Sequence, residues 1–174
     1  ISPDGDLKSV SLAQLRVNAN DKVAANFERV PQGYRVKIQG DTLDGRALIK
    51  TITATGKNSV TSGQDIDLDL KVGTLTGFNN EVMRNADIRV QTKSGALKEL
   101  RIDGKLAQQS VLAQPARGEN GQPVFVIQSA DAGALLRFTD LYKRMNTGAL
   151  SLQLSATGEP LDGTLTIRRF AILD

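Results

Sequence analysis

The sequence predicts a mainly β fold: an elongated, curved, antiparallel-rich sheet built from two strand-strand-strand-helix-strand repeats. One amphipathic helix is expected at about 131–145 and one short helix at about 44–50. Three observations carry this reading. Apolar and polar residues alternate over many short runs, the period of a strand with one buried face. Only one stretch keeps a helical period over several turns. Three pieces also recur in the same order at a nearly constant offset of about 85 to 90 residues. They are "LAQLRV" at 12–17 with "LKELRI" at 97–102, "VKIQG" at 36–40 with "FVIQS" at 125–129, and "DGRALIK" at 44–50 with "DAGALLR" at 131–137. The repeats run over about 7–93 and about 94–174 of a single β-rich unit, 1–174.

In chain order, the first alternating run covers Leu7 to Val17. "KVAANFERV" places Val23, Ala25 and Phe27 on one face, and after "PQG" the segment "YRVKIQ" does the same with Tyr34, Val36 and Ile38, which makes a hairpin. Asp44 opens the short helix holding Ala47, Leu48 and Ile49, and "TITATG" interrupts it. In "DIDLDLKV", Ile66, Leu68, Leu70 and Val72 point one way and Asp65, Asp67, Asp69 and Lys71 the other. The same run resembles the start of a calcium loop, but the sixth and twelfth positions hold Leu70 and Thr76 instead of the Gly and bidentate Glu such a loop needs. A strand face with Arg89 and Lys93 as cross-strand charge partners is the expectation.

Further strands fall on Ile88 and Val90, on Leu100 and Ile102 in "ELRIDGKL", on Leu150 to Leu154, and on Leu165 and Ile167. Parity slips between Leu12 and Leu15, after Gly73, and at Arg168 and Arg169; a bulge at each returns the apolar residues to one face. "VFVI" at 124–127 does not alternate, so that strand is expected to be covered on both sides. "QPARGENGQP" at 114–123 reads as a polar loop, and the Asp-Gly pairs at 44–45, 103–104 and 162–163 read as turns.

The long helix puts Ala134, Leu135, Phe138, Leu141, Tyr142 and Met145 on one stripe and Arg137, Asp140, Lys143 and Arg144 outward. Ser129 or Asp131 is placed to cap its start and Gly148 its end.

The chain has 174 residues, 40% hydrophobic and 24% charged, which is ordinary for a globular protein. Aromatics are 4% with no Trp, so the apolar surface is aliphatic. The formal charge of +3 is scattered, without the basic, aromatic-interleaved stripe of nucleic-acid binding, so no nucleic-acid partner is expected. With no Cys and no His, disulfides, thiol chemistry, and the commonest base and metal ligand are absent. No metal, cofactor or catalytic residue is assigned. Asp65, Asp67, Asp69, Asp87, Asp103, Asp140 and Asp162 supply carboxylates for a glycosidase-like pair, but most fall on solvent positions or turns. The start at Ile1 without Met reads as a piece of a longer protein.

The segment "SADAGALLRFTDLYKRMNTGALSLQLSATGEPLDGTLTIRRFAILD" resembles the C-terminal region of the AsmA-like envelope proteins of Gram-negative bacteria, the group that includes TamB and YhdP. The features are the "DAGALLR" helix start, a Gly before an alternating strand at 148, and "LDGTLTIRRFAI" at 161–172; "GDTLDGRALIK" at 40–50 is similar to the strand-to-helix step of the same proteins. "NTG" at 146–148 departs from the Gly pair common there. The resemblance implies a periplasmic protein, anchored to the inner membrane by a segment outside this sequence. It would support phospholipid transport between the membranes and outer-membrane integrity through an apolar sheet groove.

On that expectation the lining comprises Val23, Phe27, Val36, Ile38, Ile66, Leu68, Leu70, Ile88, Val90, Leu152 and Leu154. The partners are phospholipid acyl chains, adjoining repeats of the same protein and other envelope proteins. One-sided alternation is equally the signature of a closed β-sandwich core. A structural or interaction module that binds no lipid is the alternative.

Overall fold

The computed structural model describes residues 8–16, 18–53, 65–94, 96–156 and 162–173. In the described residues the chain forms β1 (Ser9–Leu15), β2 (Lys22–Val30), β3 (Gly33–Asp44), α1 (Arg46–Thr53), β4 (Asp65–Thr76) and β5 (Val82–Lys93). It continues as β6 (Ala96–Leu106), β7 (Gln109–Arg117), β8 (Pro123–Ser129), α2 (Ala132–Phe138), β9 (Met145–Ser155) and β10 (Gly163–Ile172). The strands make one open ten-stranded sheet in sequential order from β1 to β10. Every neighbouring pair is antiparallel except β3 and β4, which run parallel. A parallel pair cannot be joined by a tight turn, and α1 lies in its connection. The order of three strands, a helix and two strands occurs twice, but α2 joins an antiparallel pair.

Both helices lie against the apolar side of the sheet, here the inner face. Ile49 of α1 and Ala134 and Phe138 of α2 join one core cluster with Leu43, Leu75, Met83 and Leu106, which stand side by side across β3 to β6. From between β8 and β9, α2 reaches the β4–β5 turn. Phe78 N–H donates to Phe138 O (3.0 Å), Asn79 Nδ2 donates to Arg137 O (2.8 Å), and Arg137 pairs with Glu81 (2.7 Å). The helix bridges strands that far apart in the order because the sheet curves around its apolar side.

Of the three expected bulges only the first, between Leu12 and Leu15, appears as a register shift. Strand β4 keeps an unbroken register with both neighbours through Gly73, as β9 and β10 do through Arg169, so parity there changes without an extra residue. On β4 the alternation changes after Gly73, so Leu75 is buried along with Leu70 and Val72, opposite a β5 whose Asn85 is left-handed (φ 51). On β10, Arg169 (φ 56) lies beside Gly148 (φ 97), and the crossing returns Ile172 to the side of buried Met145.

Four details differ from the sequence expectation. The long helix stops at Phe138, not near 145: Thr139 caps it and bonds back to the Leu135 carbonyl (2.9 Å), Asp140 turns left-handed (φ 60), and Met145 already begins β9. Leu141 and Tyr142 are therefore exposed, and Arg137 is half-buried rather than outward. Gly148 sits inside β9 and does not cap the helix.

Next, the loop expected at 114–123 shrinks, because Gln114 to Arg117 belong to β7 and Pro123 to β8. Pairing of β7 with β6 stops at Ala113, so Pro115 loses no ladder bond on that side. Lastly, Asp103 and Gly104 are interior to β6, where a Cβ on Gly104 would stand 2.8 Å from the Met83 side chain. Leu7, Val17 and Leu161 lie outside the described residues.

Candidate functional site

Residues directly opposite in a ladder share a face, so the registers define what the inner face presents. One row crosses every strand: Leu12, Ala25, Ile38, Leu70, Ile88, Ile102, Ala113, Ile127, Leu152 and Leu165 are successive partners. No polar side chain interrupts it. A second row runs through Val10, Phe27, Val36, Leu68, Val90 and Leu100. The alternation that makes each strand amphipathic is thus held in register over the whole sheet.

The expected lining residues all occur on this face, in two settings. Val23, Leu68, Leu70, Ile88 and Val90 are buried in the packed centre, and Leu70 is 0% exposed. Val36, Ile38, Ile66, Leu152 and Leu154 are half-buried around it, and Phe27 is 39% exposed, stacked at a tilt on Tyr34 with ring centroids 5.1 Å apart. The centre is packed like a core, and the apolar face opens toward both edges.

Between α1 and the sheet is an apolar cavity of about 220 Å³, lined by Leu15, Val36, Ile38, Leu43, Leu48, Ile66, Leu68 and Val90. Its polar boundary is at the rim, where Thr51 and Asp44 stand. Asp44 is gripped by Arg46 and Asn18, and the Arg46 hydrogen bond holds its carboxyl below the ordinary 3.8 against the opposing effect of burial. The sequence pattern identified the sheet wall of this cavity. The α1 wall was missed because it depends on where the helix docks, although "ALIKTI" carries an amphipathic signal.

The outer face over β2 to β5 is charged and largely self-neutralised. Arg35 bridges Glu28 (2.9 Å) and Asp67 (3.1 Å), Arg89 pairs with Asp69 (3.1 Å), and Lys71 pairs with Asp87 (3.0 Å). The hydrogen bond to Asp67, and then that to Glu28, raise the Arg35 pKa above its ordinary value. Asp65 accepts the Ser94 N–H (2.7 Å). The three aspartates of "DIDLDLKV" are therefore spent on separate neighbours. Asp87 and Asp103 stand directly opposite each other on this face. Among the described residues no group of three or more acidic side chains is arranged to hold a metal ion. No helix among them is long and apolar enough to cross a membrane. Comparisons with protein-family models, curated proteins and solved structures give no match to this chain.

Proposed function

We propose that the chain is a non-enzymatic, lipid-handling segment of an AsmA-like envelope protein, working in the periplasm, whose inner face carries phospholipid acyl chains. The observation that supports this most is the ten-residue aliphatic row that reaches both open edges of the sheet. Where this row is open, in the cavity under α1 and toward the edges, a lining without polar anchors holds a chain by burial alone, at about 0.8 kcal/mol per methylene; Leu70, Ile88 and Ala113 at its centre are already packed. The cavity under α1 gives such a chain a dry place to end, with its head group left in water at the rim.

The test is native mass spectrometry of delipidated protein after incubation with phosphatidylethanolamine and phosphatidylglycerol vesicles. Wild type should retain lipid, and Thr51→Trp, which plugs the mouth of the cavity from an exposed position, should retain less. Protein that holds no lipid under these conditions sinks the proposal.

A second reading, a β-module that scaffolds an envelope complex without lipid, is favoured by one observation. Leu165, Phe170, Ile172 and Leu173 are 46 to 57% exposed at an edge strand paired on one side among the described residues.

A further inference from the structure

We propose that the outer face over β7 to β10 holds a site for a phosphate ester, independent of the apolar inner face. Two neighbouring rows build it. In the first, Leu112, Gln128, Ser151 and Thr166 are successive cross-strand partners. In the next, Arg168 pairs with Ala149, and the Ala130 N–H donates to the Ser110 carbonyl (3.5 Å). The two alanines make a low floor. The side chains of Ser110, Gln128, Ser151, Thr166 and Arg168 stand around it together with exposed Leu112, and the resulting depression measures about 600 Å³.

The side chains of Ser110, Gln128, Ser151, Thr166 and Arg168 have no hydrogen-bond or ion-pair partner among the described residues. This separates them from the outer face of β2 to β5, where Arg35, Lys71 and Arg89 each hold a carboxylate. The rows over β7 to β10 contain no Asp or Glu, so Arg168 has no counter-charge within them.

That inventory selects the ligand class. A guanidinium offers a planar fork of donors that matches two oxygens of a phosphate, and the hydroxyls and carboxamide can donate to the remaining oxygens. A metal ion would meet no carboxylate. An acyl chain would strip water from five polar groups and return no hydrogen bond to them. The depression exceeds what inorganic phosphate alone would fill, so the alanine floor is left for the small polar body of an ester. A soluble ester and a phospholipid head group share this chemistry.

The test follows backbone amide NMR shifts of the protein titrated with sodium phosphate, with glycerol 3-phosphate, and with phosphatidylcholine vesicles with or without phosphatidylglycerol. The expected result is saturable perturbation confined to β7 to β10. It should be weakened about tenfold or more in Arg168→Ala and abolished in Ala149→Phe, which fills the floor; Thr166→Val, a near-isosteric change, should weaken it less. A response to glycerol 3-phosphate identifies a soluble ligand, and a response only to phosphatidylglycerol vesicles identifies a head group. No perturbation with any probe, or perturbation that persists in both folded Arg168→Ala and Ala149→Phe, overturns the proposal.

Discussion

At Arg137, one side chain joins two distant parts of the chain. Its Nε donates to Glu81 (2.7 Å) and its Nη1 to the Met145 carbonyl (2.6 Å), and the paired side chains are only 23% and 17% exposed. Truncation to Met would leave Glu81 in a poorly solvated place without its partner, so Arg137→Met should cost about 2 kcal/mol in urea denaturation. Glu81→Gln in that background should add little. Asp44 makes a pH-dependent contribution. Its folded pKa lies below the ordinary 3.8, chiefly through the hydrogen bond from Arg46, so the stabilisation is present above that value and lost as pH falls through the lower, folded one. Urea midpoints measured from neutral pH into the acid range should fall less steeply in Asp44→Asn than in wild type.

The elements show where local pattern and tertiary contact part company. A helical stripe through Met145 is written in the sequence, yet α2 ends at Phe138. The residues beyond it serve the turn into β9, and Phe138 is 4% exposed against Gly77, where an added Cβ would stand 2.3 Å from the ring. Phe138→Ala should therefore cost about 3 to 5 kcal/mol. Leu141→Ala, at a side chain 63% exposed, should change stability by less than about 0.5 kcal/mol. Equal losses at the two positions would mean that the helix continues through 141. Strand β7 was missed in the sequence because Pro115 and the glycines after it carry turn signals. The alternation of Val111 and Ala113 was the available clue, and both are buried.

Across the whole molecule, β1 and β10 do not pair with each other among the described residues, so the sheet stays open. The inner row ends at Leu12, 40% exposed, and at Leu165, 52% exposed, so each edge offers both backbone groups and apolar side chains. Light scattering should detect self-association that rises with protein concentration. Phe170→Lys with Ile172→Lys should reduce it, because two ammonium groups would have to be desolvated at the contact. A monodisperse monomer at all concentrations would count against edge pairing as the use of this strand.

Most of the β pattern, the two helix starts and three of the parity slips were legible from residue order, because strand alternation and capping depend on near neighbours. Which side chains share the inner face was legible for the same reason: a period of two marks which of them lie on one side. What residue order left open was whether that side would be a sealed core or an exposed trough. Only the tertiary structure decided this, through the docking of α1 and α2 over the centre and the curvature that brings β8 and β9 toward the β4–β5 turn. Burial of Leu70 and exposure of Leu165 arise in the same alternating pattern. They differ in how many neighbouring strands and helices stand around each, which is a property of packing and not of local sequence.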